Sequence, residues 1–219
     1  MSLLALGMIV AIAPWRADLT QRVALRRFEH PAAFREWVDI SLRDHPRRKV
    51  LVLPAKAEIP GDLVLDWTDE LESQGVVAIV VPGDLTVRGS VRNRDFDGGP
   101  LLFVDGSLTA QQVDKRGAPI VVLGDLHVSG YVLCEYNHGG LRVGGKVVSQ
   151  AVIGLDHDIY LAGPVVGKQL DDSDASSLRG ELVTEVFDLA SDPEATFPDV
   201  ERIRARIAAG LPILKAGGK

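Results

Sequence analysis

The sequence predicts a mainly β protein, a single-stranded β-solenoid of about six rungs with helical segments at its N and C termini. Three observations favour this fold class. Glycine-centred segments recur about every 20 residues through the middle of the chain. Runs rich in Val and Ile, such as 76–81 and 120–123, precede several of these segments and are typical of buried strands. Patterns typical of helices lie near the two ends.

The six repeated segments share a glycine at their second position. They read PGDLVL at 60–65, PGDLTV at 82–87, DGSLTA at 105–110, LGDLHV at 123–128, GGKVVS at 144–149 and AGPVVG at 162–167, with glycine spacings of 22, 23, 18, 21 and 18 residues. Glycine takes positive φ angles without a Cβ clash, which suits a tight corner. After each corner a short strand alternates, so that Leu85 and Val87 share one face and Thr86 points outward. We expect rungs stacked about 4.8 Å apart.

The N-terminal segment, residues 1–49, is predicted to be mostly helical. Apolar residues recur with helical spacing over 34–42 after Pro31, and a weaker stripe covers 17–29. The apolar run at 3–13 is too short to span a bilayer. A signal peptide has basic residues before its apolar run, whereas the first basic residue of this chain follows the run. We expect this run to pack on the body as a buried strand or helix, or to form a loose chain start.

The solenoid is predicted over 50–168, and residues 169–219 are predicted to form a linker and a capping helix. An acidic, polar stretch at 171–177 is typical of a linker. A helix over 198–209 follows, with Asp199 near its start and Gly210 just after its end. Because a solenoid leaves an open strand edge at each end, we expect the terminal helices to cover these edges.

Composition narrows the function classes. The net charge is −6, which is not the basic balance of a nucleic-acid-binding protein. Cys134 is the single cysteine, which excludes an internal disulfide and a multi-cysteine zinc site and fits a reducing cytoplasm. We therefore expect a cytoplasmic protein with no cofactor and no nucleic-acid or membrane partner.

The repeat-bearing half of the chain resembles the bactofilin-like, polymer-forming cytoskeletal β-solenoids. The resemblance is carried by Gly83-Asp84-Leu85, Gly106-Ser107-Leu108 and Gly124-Asp125-Leu126. It implies a β-solenoid that works as a self-associating scaffold. Rungs of 18 to 23 residues and helical ends differ from the uniform rungs and non-helical tails of that family.

A narrower resemblance, to a group of bacterial solenoid proteins without an established activity, is carried by three segments. These are Tyr136-Asn137-His138-Gly139, Asp156-His157 and the C-terminal stretch 209–214. This second resemblance implies the same fold and brings no activity with it.

The repeat is most disturbed at 134–140 and 154–158, where residues with reactive side chains collect. This candidate functional face comprises Glu135, Tyr136, Asn137, His138, Asp156, His157 and Asp158. His138 and His157 are 19 residues apart, about one rung, so they could stack and bind a metal ion with a carboxylate. The structural alternative is a pair of turns, because Asn and His tolerate left-handed backbone and two glycines follow His138.

The aspartates of the Gly-Asp-Leu segments could form a calcium-binding ladder. Lys146 and Pro164 take the equivalent positions in later repeats, and a lysine is hard to reconcile with a cation site. We expect Asp62, Asp84 and Asp125 to accept hydrogen bonds from N–H groups of their own turns.

The sequence favours a non-enzymatic scaffold or protein-interaction module that pairs with itself or with a protein partner through long flat faces. It contains no Gly-x-Ser-x-Gly elbow, phosphate-binding loop or dinucleotide fingerprint, so an enzyme is the less favoured interpretation. The alternative is a metal-binding protein or enzyme with a site around His138 and His157 on one solenoid face.

Overall fold

A computed structural model gives the structure of this protein and describes residues 49–216 together with the backbone of 11–14. The helices predicted over 17–29 and after Pro31 lie outside the described residues. The strands are β1 (Ala11–Pro14), β2 (Lys49–Val52), β3 (Lys56–Ile59), β4 (Leu63–Val64), β5 (Val76–Val81), β6 (Asp84–Val87), β7 (Ser90–Arg92), β8 (Leu101–Val104), β9 (Leu108–Ala110), β10 (Gln112–Lys115), β11 (Ile120–Val122), β12 (Leu126–Val128), β13 (Tyr131–Glu135), β14 (Gly140–Val143), β15 (Val147–Leu155), β16 (Asp158–Leu161) and β17 (Val165–Asp171). The helices are α1 (Asp69–Gln74), α2 (Ala175–Glu181), α3 (Val200–Ala208) and a 3-10 turn at Thr184–Val186.

Strands β2 to β17 form a three-faced parallel β-solenoid, which confirms the predicted fold class. The first face contains β2, β5, β8, β11, β14 and β16, which mark six stacked rungs. The second face contains β3, β6, β9, β12 and the first halves of β15 and β17, and the third face contains β4, β7, β10, β13 and the second halves of β15 and β17. From the first rung to the last, the chain makes about five turns.

The strand register corrects the placement of the first repeat. Leu85 pairs with Ala57, so the first rung spans 28 residues, from 57 to 85, and not 22. The Gly89 N–H donates to the Gly61 carbonyl, whereas Gly83 stacks on Ala55. The segment at 60–65 therefore forms the second corner of its rung and not the first. Helix α1 lengthens this rung, and the later steps of 23, 18, 21 and 18 residues agree with the repeat.

The core is built from apolar rows that run along the solenoid axis. Leu85, Leu108 and Leu126 are in register on the second face, and each is at most 1% exposed. A buried leucine contributes roughly 1.5–3 kcal/mol, but one rung alone cannot enclose it. The outward row of the first face is also apolar and buried, at Val50, Val80, Phe103 and Val121.

The glycine corners are required by close stacking and not by positive φ. The repeat glycines at 83, 106, 124, 145 and 163 do not adopt positive φ. A Cβ on Gly124 would instead lie 2.7 Å from the carbonyl carbon of Gly106 in the preceding rung. The expected reason for these glycines, a left-handed turn, was therefore wrong, since backbone approaches backbone at each corner.

The corner aspartates accept hydrogen bonds from the next rung. Asp84 Oδ1 accepts from the Ser107 N–H at 2.8 Å, and Asp125 Oδ1 accepts from the Lys146 N–H at 2.8 Å. The aspartates therefore join rungs, whereas we expected them to bond within their own turns.

The described parts of the two chain ends contain one strand, β1, and the helices α2 and α3. Within the N-terminal segment that was predicted to be helical, Ala11–Pro14 is a strand that pairs antiparallel with β2, because the first strand of the sheet has an edge to satisfy. The last solenoid strand reaches Asp171, and α2 occupies a portion of the expected linker because the Asp174 carboxylate caps it by accepting from the Ser177 N–H. Helix α3 lies where a helix was expected, with Asp199 as its N-cap.

The C-terminal segment packs on the later strands of the third face and not on the end of the solenoid. Apolar side chains of this segment, including Leu178, Phe187 and Ile203, pack against Leu133 and Ile153 of β13 and β15. Arg204 of α3 reinforces this contact with the carboxylate of Asp114 at 3.0 Å. Among the described helices, none has both the length and the apolar character needed to cross a membrane.

Candidate functional site

The candidate residues collect at the third corner, where the third face passes to the first face of the next rung. Residues 136–139 connect β13 to β14, and residues 156–157 connect β15 to β16. Glu135 pairs with Leu155, and Gly140 pairs with Asp158, so the two segments lie one rung apart. The structure thus brings both predicted segments to one place.

The ring of His157 is bonded to the protein through both nitrogens. Nδ1 forms a hydrogen bond with the backbone carbonyl of Tyr136, and Nε2 lies 2.5 Å from Lys115 Nζ. A carbonyl oxygen only accepts, so Nδ1 carries the proton and Nε2 accepts from the lysine. His157 therefore joins the third corner of one rung to the interior of the solenoid.

Lys115 is a buried cation that the sequence analysis missed. It occupies an inward position of β10, is 0% exposed, and also donates to the Arg116 carbonyl at 3.0 Å. Its counterparts in the next two rungs are the small residues Cys134 and Gly154, and the Ile159 side chain lies against Gly154. The signal was present in the sequence: Lys115 continues the inward alternation set by Val113 of the same strand.

Burial controls the protonation of this cluster. Removal from water is the main cause that lowers the pKa of Lys115 to about 8, and the nearby positive charge of Arg142 acts in the same direction. Burial also lowers the pKa of His157 to about 4, with the positive charge of Lys115 as the second cause. The pKa of Cys134 is raised to about 12 by complete burial. At neutral pH the cluster therefore holds a neutral imidazole, a neutral thiol and one ammonium group.

Two of the predicted carboxylates are held by arginines. Glu135 accepts from Arg116 at 3.2 Å and lies 2.7 Å from Arg204, so it clamps α3 to the solenoid. Asp158 forms an ion pair with Arg142 of the neighbouring rung. Both acids fix neighbouring elements of the fold, which leaves them poorly placed as free catalytic acids or bases.

The turn at 136–138 differs from the expected turn chemistry. Tyr136 adopts the left-handed conformation with φ 76°, whereas Asn137 and His138 were expected to do so. Its ring packs edge-on between Phe96 at 5.0 Å and His138 at 4.6 Å. Asn137 and His138 are exposed. The aromatic contacts offset a conformation that costs a bulky residue about 1–2 kcal/mol.

The described residues contain no group of three or more His, Cys, Asp and Glu side chains arranged to hold a metal ion. Of the two candidate ligands, His157 uses both ring nitrogens within the protein, and His138 packs on Tyr136. At this corner the structure places His157 in hydrogen bonds with the Tyr136 carbonyl and the buried Lys115.

A cleft opens between the third corner and the start of α3. Its volume is about 280 Å³. It is lined by Tyr136, Leu155, Phe197, Pro198 and Val200 and by the acids Glu135, Asp156 and Asp172. Residues 172 and 197–200 come from the C-terminal segment, so the sequence pattern at the corner could not reveal this cleft.

Comparison of the chain with protein-family models, with curated proteins and with solved structures found no match. The solenoid fold is the aspect of the bactofilin resemblance that the structure supports.

Proposed function

We propose that this protein is a non-enzymatic scaffold that binds a protein partner along its second face. The observation that carries the proposal is the difference among the three faces. The outward row of the first face is apolar and buried at Val50, Val80, Phe103 and Val121, and the C-terminal segment covers the third face over β13, β15 and β17. Val64 and Arg92, on the first two strands of the third face, remain partly exposed. The second face presents its outward rows to solvent from rung to rung.

The second face is flat, regular and rich in hydrogen-bonding side chains. Thr86, Thr109, His127 and Val148 follow one another in register along it. A shallow groove of about 410 Å³ runs beside this row, with Gln111 among its lining residues. Side chains repeated at the strand spacing present donors and acceptors in a line, which suits an extended or flat protein surface.

A heterologous partner is favoured over end-to-end stacking. Within the described residues, β16 and β17 pair only with β14 and β15, so the last rung has a free edge. Its inward positions on the first face are apolar, at Ile159 and Leu161. On the third face, however, the polar Gln169 follows Val152 in the inward row and is exposed. In a filament of stacked solenoids, Gln169 would be buried without a hydrogen-bond partner, and this cost disfavours stacking.

The test is site-specific photocrosslinking. A photoreactive amino acid in place of Thr109 should give one discrete adduct in the native cell, and the same amino acid in place of the exposed Ser191 is the control. The purified partner should then bind wild-type protein and lose affinity for Thr109→Arg. An adduct from position 191 but none from position 109 would contradict the proposal, and an adduct containing two copies of this chain would favour self-association.

The alternative, a metal-binding protein or enzyme at the third corner, has a separate test. Metal content is measured for the wild type and for the His138→Ala and His157→Ala variants. Bound metal that is lost in both variants would favour the alternative, and equal metal content in all three would remove it.

A further inference from the structure

The cleft between the third corner and α3 has an apolar, partly exposed wall. Phe197 is 53% exposed, and Tyr136 stands on the opposite element. Tyr136 is held in place by its ring contacts with Phe96 and His138, so this side of the cleft is preformed. A concave site with exposed aromatic lining and a few polar groups is typical of a binding site.

The charged side chains that line the cleft are acidic. Glu135, Asp156 and Asp172 line it, and among the residues that the structure describes no Lys, Arg or His does. Glu135 forms ion pairs with Arg116 and Arg204, which balance its charge. Within the described residues, the Asp172 carboxylate accepts one hydrogen bond, from the Asp156 N–H at 2.7 Å, and the Asp156 carboxylate has no partner. Two negative charges therefore face the cleft, and the described part of the chain supplies no cation for them.

Elsewhere in this chain an arginine binds both an aromatic ring and carboxylates. The guanidinium of Arg116 lies 4.1 Å from the centre of the Phe96 ring. The same group is bonded to the carboxylates of Glu135 and Glu201. Phe197, Asp156 and Asp172 provide an aromatic face and two carboxylates in the neighbouring cleft, and there the cation is not supplied by the described residues.

We propose that this cleft binds an arginine side chain of a partner protein. Its volume is at the small end of ligand pockets, which fits one long side chain better than a cofactor. A guanidinium can stack on an aromatic ring while its planar N–H groups donate to carboxylates, which a compact ammonium cannot do equally well. The third corner joins the third and first faces, so this site does not border the second face and stands independently of the proposed function.

The test uses short peptides and amide NMR spectra of the whole chain. Acetyl-Gly-Arg-Gly-amide is the probe, and the same peptide with citrulline, which is neutral and nearly the same shape, is its control. The arginine peptide should bind in the millimolar range and shift the amides of Glu135, Asp156, Phe197 and Val200. The citrulline peptide should leave these amides in place, and a lysine peptide should bind more weakly than the arginine peptide.

Variants locate the binding site. The Asp156→Asn/Asp172→Asn double variant should bind about tenfold more weakly, because it removes two charge-assisted hydrogen bonds. Phe197→Ala should bind about fivefold more weakly through the lost ring contact. The Asp69→Asn/Glu72→Gln variant removes the same charge from α1, at the other end of the solenoid, and should bind as the wild type does. Equal shifts from the citrulline peptide, or unchanged binding by the Asp156/Asp172 variant, would overturn the proposal.

Discussion

The buried His157 makes the stability of the fold depend on pH in a defined window. The folded pKa of His157 is about 4, against 6.5 for a free histidine. Below about pH 6.5 the unfolded chain therefore binds a proton that folded His157 does not bind, and stability falls until about pH 4. A shift of this size corresponds to about 3 kcal/mol, or about 2 kcal/mol after allowance for the portion of the ring that faces solvent.

The substitution His157→Gln removes this titration and can keep both hydrogen bonds. The glutamine amide can donate an N–H to the Tyr136 carbonyl and accept from Lys115 through its oxygen. Between about pH 7 and about pH 4.5 the wild type should lose about 2 kcal/mol more unfolding free energy than the variant. Urea denaturation at several pH values measures this difference.

The matched control is His138→Gln, since that imidazole is exposed at the same corner. This control should keep the wild-type dependence on pH. The reasoning would be refuted if His157→Gln lost stability in acid as steeply as the wild type, or if His138→Gln flattened the dependence equally.

Three further predictions concern the stacked corners, the C-terminal clamp and the buried thiol. Gly124→Ala should destabilise the fold by about 2–3 kcal/mol, because the added Cβ would collide with the preceding rung. Gly61→Ala should change stability little, because no atom lies within 4 Å of the added Cβ. Thermal and urea denaturation measure both effects. Arg204→Gln should lower the free energy of unfolding by about 2–4 kcal/mol and speed amide exchange in α3, because the Arg204 side chain is 15% exposed and bonded to Asp114. The Arg202 side chain is 43% exposed, so Arg202→Gln should cost less than about 1 kcal/mol. Cys134 should resist a disulfide reagent at about pH 8 in the folded protein and react once urea unfolds it, because burial raises the pKa of its thiol to about 12.

Each of these has an outcome that would contradict it. Equal stability of the two alanine variants would mean that the corners do not stack as closely as described. Similar costs for the two arginine variants would place the α3 clamp elsewhere. Rapid labelling of the native thiol would show that the interior of the solenoid opens readily.

The regular region of the fold was predictable because its physics is local. Alternation along a strand placed Leu85 and Val87 inward, and the rung lengths after the first followed from the glycine spacing. The first rung was misplaced because PGDLVL at 60–65 imitates a first-corner segment. Only the register with Ala57 shows that it belongs to the second corner.

The candidate site was predictable in place but not in chemistry. One rung of spacing brought His138 and His157 to the same corner, as expected. Their environments differ, however, because His157 reaches Lys115, which is 42 residues away in sequence, while His138 stays at the surface. A polar residue at an inward strand position is the sequence signal that could have pointed to Lys115.

The sequence by itself determined that this chain is a stack of short strands, since repeat length and apolar alternation act between neighbouring residues and neighbouring rungs. The tertiary structure alone decided which faces remain exposed. The C-terminal segment packs on the third face and creates the acidic, aromatic cleft, because side chains near 135 and 200 meet only after the chain has folded.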